Sequence, residues 1–384
     1  MAKRTASPSS SSGLSSAALD SLRPHVVDLQ DGAFSTTAEL KTTAADVDAI
    51  FSTHLPAFIK SRGGQPVPAM FWAHGGLVSE ASALAVASLQ IPWWLSNGIY
   101  PIFFIWHTDL WSTVGDLVAN HVRAAGSLQP EAAPAFKFSD ITDAAIEVAV
   151  RDLGGPAVWG AMKTNAERSS AAGGGAAYVA TALKSYVKAN PGTVSLHAAG
   201  HSAGAVFHAH FAPTVIQRGV VEFETCSLLA PAVRTDVFAR TLEPFIGAGI
   251  KSTAMFTMNE TAERNDSYFG VYRKSLLYLI RGALEPERNA NILGLQQCIE
   301  SDAVLTRLFP TAPSAGDAEA IWSPTNTGPL SSRSNAITHS GFNSDVSTMD
   351  SVARRVANTD NILSFALSGH PAVLDAATTT RRPQ

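Results

Sequence analysis

Short apolar runs alternate with segments of helical spacing along most of this chain, and that alternation restricts its fold more than any other feature. The runs "VPAMFWA", "IYPIFFIW", "TVSLHAA", "FETCSLLA" and "KSTAMFTM" are of strand length and carry few polar residues. Strands of this kind are buried on both faces, as in a parallel sheet covered by helices. The intervening segments supply the helices: an Ala/Leu-rich stretch from about Glu80 to Leu95, "AGGGAAYVATALKSYVKANPG", "AVFHAHFAPTVIQRG", "TDVFARTLEPFIGAG" and "YRKSLLYLIRGAL". The expected class is therefore α/β, with a mostly parallel central sheet and helices on both faces. Pro213 is expected to disturb the third of these helices, and residues 285–334 read as a polar, Pro-rich loop region.

The chain has 384 residues, of which 46% are hydrophobic and 16% charged, enough apolar material for a large core and too few charges for a disordered chain. One domain over 21–370 is expected, after a flexible Ser-rich leader (1–20) and before a polar tail (371–384). The stretch 109–170 is long for a single connection, and its broken helical pattern reads as an inserted helical lid or cap. A net charge of -4 with no run of Lys or Arg argues against nucleic acid as a partner. No apolar core of a secretory signal follows the first residues, and no stretch approaches the ~20 apolar residues of a membrane helix. A soluble, cytoplasmic protein is the expectation. Two cysteines, Cys226 and Cys298, are too few for a disulfide framework.

The run "TVSLHAA" leads directly into Gly200-His201-Ser202-Ala203-Gly204, a G-x-S-x-G pattern, and a helical segment follows it. The chemistry accounts for the spacing. A serine on a sharp strand-to-helix turn sits in a strained backbone, and side chains two residues to either side would collide with neighbouring elements. The helix that follows aims its N-terminus at the serine, so the Ala203 N–H is placed for a developing oxyanion. The motif in this strand–turn–helix context resembles the nucleophile elbow of the α/β-hydrolase superfamily, esterase and lipase branch, over roughly Val67 to Asn358. The resemblance implies a second oxyanion donor at the His74-Gly75-Gly76 turn, assigned to Gly76, with Leu77 as the alternative.

It also implies the chain order nucleophile, acid, base. Downstream of Ser202 only His339 and His370 qualify as the base; His339, in a loop just before the last helix, fits the family position. The acid should follow "KSTAMFTM", where Glu260, Glu263 and Asp266 compete; Asp266 is favoured and Glu260 is the alternative, while a plain solvated acidic loop is the non-catalytic reading. His74, Trp106, His107 and His201 are candidates for lining a substrate pocket, as are Trp93, Trp94, Trp111 and Trp159. His197, His201, His208 and His210 do not share a face and have no spaced Cys or carboxylate to complete a metal site, so neither metal nor cofactor is expected. The implied activity is hydrolysis of a small-molecule carboxylic ester through an acyl-enzyme. Thioesterase, amidase or acyltransferase chemistry on the same machinery remains open, as does a non-catalytic binding protein.

Overall fold

The strands in chain order are β1 (Val26–Gln30), β2 (Ala33–Phe34), β3 (Val67–Ala73), β4 (Tyr100–Trp106), β5 (Val194–His201), β6 (Phe223–Leu229), β7 (Ile250–Met258) and β8 (Ala318–Ser323). They form one sheet in the order β2-β1-β4-β3-β5-β6-β7-β8. Only β1 and β2 pair antiparallel; every other neighbouring pair is parallel. The computed structural model describes residues 11–76, 78–106, 143–219, 222–268, 271–310 and 316–367.

The apolar runs are continuous because both faces are covered. Along β3, Phe71 and Ala73 turn to one face while Met70 and Trp72 turn to the other. Seven of the helices cover the sheet or border the site: α1 (Glu80–Ser96), α2 (Asp143–Asp152), α3 (Gly155–Ser170), α4 (Gly175–Ala189), α5 (Gly204–Gln217), α6 (Glu260–Asn265) and α7 (Val346–Ala357). Residues of α3, α4 and α5 complete the core on the Phe71 face. Those of α1 and α7 complete it on the Trp72 face. This is the arrangement of the α/β-hydrolase fold, with helical segments inserted between β4 and β5.

Two expectations are corrected. Residues 285–334 are not a loop region: they hold the short helices Gln296–Glu300 and Ala303–Leu308 and the strand β8. Among the described residues β8 has a single neighbour, and only Ala318, Ile321 and Ser323 of its six residues are buried, so it makes no apolar run in the sequence. Helix α5 runs unbroken through Pro213. A proline in a helix interior costs ~3 kcal/mol, and here Phe211, Ala212, Pro213 and Val215 are all buried, so tertiary packing outweighs the local penalty.

Within the Ser-rich N-terminal stretch a helix forms over Ser16–Leu22, capped by the Ser15 side chain. The Ser12 side chain donates to Glu39 at 2.7 Å. Of the segment 109–170, residues 109–142 lie outside the described residues, as do Leu77, His107, Trp111, His370 and the tail 371–384. Cys226 and Cys298 are buried free thiols. No helix among the described residues is long and apolar enough to cross a membrane.

Candidate active site

β5 ends at His201 and α5 begins at Gly204, so Ser202 and Ala203 make the turn between them. Ser202 has φ 54°. For a residue with a Cβ that conformation costs on the order of 1–2 kcal/mol, and the surrounding backbone holds it in place. The Ser202 N–H donates to the Leu229 carbonyl at 2.7 Å, while its own carbonyl accepts from the N–H groups of Ala232 (3.0 Å) and Ala205 (3.1 Å). The flanking glycines are required by space. A Cβ at Gly204 would overlap the carbonyl of Ala73, and one at Gly200 would stand 2.8 Å from the Gly204 backbone. The small letters of the motif are thus dictated by β3 and by the turn's own return path.

His339 opens a 3-10 turn, His339–Asn343, before α7, whose N-cap is Asp345. Its Nε2 lies 2.9 Å from Ser202 Oγ, in hydrogen-bond contact. Its backbone N–H donates to Asp266 Oδ2 at 2.9 Å. Its carbonyl accepts a bond of 2.9 Å from His201 Nε2. Ser202, His339, His201 and Asp266 are all buried. The Nδ1 of His339 is buried and makes no hydrogen bond among the described residues. Asp266 therefore reaches His339 through the main chain. Burial, with the His201 ring beside it, holds His339 well below the usual histidine range. A neutral imidazole is the form able to take a proton from the serine hydroxyl.

The three acidic candidates separate cleanly. They lie on or at the end of α6, capped by Asn259, rather than in a solvated loop. Glu260 accepts from Arg264 (2.5 Å) and from the Tyr278 hydroxyl (2.6 Å), both on the same oxygen. Glu263, expected to be solvated, is fully buried and accepts from the Ser275 hydroxyl. Desolvation first, then the negative charges of Asp266 and Glu260, push its carboxyl well above the ordinary range. Two like charges this close do not both ionise easily, and Glu263 is the one disfavoured. Asp266 alone of the three touches His339.

Gly76 lies against the turn that bears the serine: a Cβ there would stand 3.0 Å from the Cβ of Ala203, 2.7 Å from Met162 Sδ and 3.5 Å from the Trp159 ring. His74 is pinned rather than open. Its Nε2 accepts the Trp106 N–H at 3.1 Å, its Nδ1 contacts the Gly75 carbonyl at 2.7 Å, and its carbonyl accepts from Trp106 Nε1 at 3.1 Å. Trp106 is fully buried and packs on Phe207. Trp93 and Trp94 belong to the core on the opposite face, and Trp159 donates its ring N–H to buried Glu285 at 2.6 Å. The contact between His201 and the His339 carbonyl has no signal in the sequence, because the two residues are 138 positions apart. Among the described residues no group of three His, Cys, Asp or Glu side chains is arranged to hold a metal ion.

Burial of so many histidines has a consequence for stability. Desolvation lowers His197 to about 3 and His25, His201 and His208 to about 4. In the unfolded chain each would titrate near 6.5. Between those values the unfolded state binds more protons than the folded one, so stability falls as pH drops from 6.5 towards 4, by on the order of 1.4 kcal/mol per pH unit for each histidine. Glu263 acts in the opposite sense, since its raised carboxyl stabilises below about 4.5 and loses that contribution as pH rises. One carboxyl is outweighed by four histidines. Melting temperatures measured from pH 7 to pH 4 should decline steeply, and a flat profile would contradict the buried neutral histidines.

Compared with models of protein families, with curated proteins and with solved structures, the chain matches none.

Proposed function

We propose that the chain is a serine hydrolase acting on carboxylic esters, with Ser202 as nucleophile, His339 as base and Asp266 as the orienting acid. The observation that carries this reading is the 2.9 Å contact between Ser202 Oγ and His339 Nε2, made by a serine held at φ 54° where β5 turns into α5. Strained residues of this kind concentrate at functional sites. The carboxylate of Asp266 on the main chain of the same histidine supports the third assignment.

The chemistry follows from the arrangement. Ser202 Oγ attacks the ester carbonyl as its proton passes to His339 Nε2, and the carbonyl oxygen becomes an oxyanion. The N–H groups of Ala203 and Gly76 stabilise that charge; a donor of this type contributes about 10²–10³ in rate. The C–O bond to the alcohol then breaks, and His339 returns the proton to the departing oxygen. Water, deprotonated by His339, attacks the acyl-enzyme, and the second tetrahedral intermediate collapses to free acid and Ser202. The Asp266 carboxylate, bonded to the His339 main chain, holds the base in position and places a negative charge beside the imidazolium formed in each step. We assign α3, in the insertion between β4 and β5, to the wall of this site; support comes from its Met162 and Trp159, which lie against Gly76.

A fluorophosphonate probe tests the reading directly. It should label the native protein on the peptide containing Ser202, and p-nitrophenyl esters of graded chain length should be turned over faster than matched amides and thioesters. Absence of both labelling and ester turnover would sink the proposal in favour of a binding protein on a hydrolase scaffold.

A further inference from the structure

We infer that His201, the residue before the nucleophile, is a positioning residue that ties the base to the turn carrying Ser202; this rests on the hydrolase reading above. A carbonyl only accepts hydrogen bonds, so the 2.9 Å contact between His201 Nε2 and the His339 carbonyl places the proton of a neutral His201 on Nε2. Nδ1 then carries a bare lone pair. It is buried and makes no hydrogen bond among the described residues. It faces Gly75, where a Cβ would stand 3.3 Å away.

A leucine at this position would fill the same space without burying an unpaired nitrogen, so packing alone does not favour histidine. What the ring supplies is reach. His339 begins its 3-10 turn without a side-chain cap, at the end of a loop, and its backbone is held on both sides: Asp266 takes its N–H and His201 supplies a donor to its carbonyl. The two imidazoles sit with centroids 5.3 Å apart. Since His201 and Ser202 are adjacent, any shift of the turn carries the tether with it. The nucleophile and the base are thereby locked to a common frame. A misplacement near 1 Å costs about 10² in rate, which is the scale of what this tether protects.

The test compares amides of different reach. His201→Gln ends its side-chain nitrogen close to the position of Nε2 and can donate to the His339 carbonyl; His201→Asn stops near the position of Nδ1 and falls short. His201→Asn is expected to lose ten- to a hundredfold in kcat on p-nitrophenyl acetate with KM changed less than about threefold, and to react with fluorophosphonate correspondingly slowly. His201→Gln should recover most of both rates. His201→Leu should be as slow as His201→Asn while melting at least as high as His201→Gln, a reversal that a merely structural role would not produce. Asparagine or leucine matching glutamine in kcat would overturn the inference, as would losses that track melting temperature through the series. Labelling of the unsubstituted protein separates the two levels: an unlabelled Ser202 refutes the hydrolase reading itself, whereas a labelled one beside a fully active His201→Asn refutes only the tether.

Discussion

Replacing Ser202 by alanine is expected to lower ester turnover by about 10⁶-fold, the order found when a nucleophile that works as a unit with its base is removed. The amides of Gly76 and Ala203 would remain, so the residue of activity above the uncatalysed rate measures what oxyanion binding supplies alone. The fold should persist, because the strained turn is held by main-chain bonds from Ser202 to Leu229, Ala205 and Ala232 that alanine keeps. A second substitution isolates the strain. Ser202→Gly loses the same contact with His339 Nε2 but tolerates φ 54° without a Cβ penalty. Glycine should therefore be more stable than alanine here by about 1 kcal/mol, against the usual preference. Urea unfolding of the two variants reads the difference directly. Turnover retained by Ser202→Ala, or glycine proving the less stable of the pair, would contradict the site as described.

Asp266→Asn should be the next most damaging change, with a loss in kcat short of the roughly 10⁴ found where the carboxylate is bonded directly to the imidazole, since here it is bonded to the His339 main chain. The asparagine oxygen can still accept the His339 N–H, although its NH2 group replaces the oxygen that accepts the Ser267 N–H. What disappears is the negative charge held beside the base. Glu260→Gln should cost less than about tenfold, as its carboxylate is engaged with Arg264 and Tyr278. Glu263→Gln should also be mild, for a different reason: burial already drives that carboxyl towards its neutral form, which glutamine resembles. Assay of all three on one ester at pH 8 decides among them. Were Glu260→Gln the inactive variant, the acid would have to be reassigned; were all three active, it would lie on another strand.

Local pattern along the chain is enough to specify the architecture and the position of the turn. Runs such as "PIFFIW" are apolar on both sides of the strand, and only a sheet covered on both faces buries them. Gly200 and Gly204 were legible too, since a strand-to-helix turn this tight leaves no room for a Cβ, and the structure shows the atoms that would collide. What the tertiary structure alone decided is how residues distant in the chain share one place. Three carboxylates within seven residues are separated on paper only by a family preference for aspartate. Only the packing of α6 buries Glu263 beside Ser275, brings the Tyr278 hydroxyl to Glu260 and brings Asp266 to the His339 main chain. The role of His201 is of the same kind, for its partner is a carbonyl oxygen, a group every residue has and no sequence pattern marks. Edge strand β8 was hidden because a strand with one neighbour need not be apolar, and the unbroken α5 because burial outweighs a local proline penalty. Local pattern reports the free energy a segment gains in any buried setting; which groups meet inside is fixed by long-range packing that no short stretch encodes.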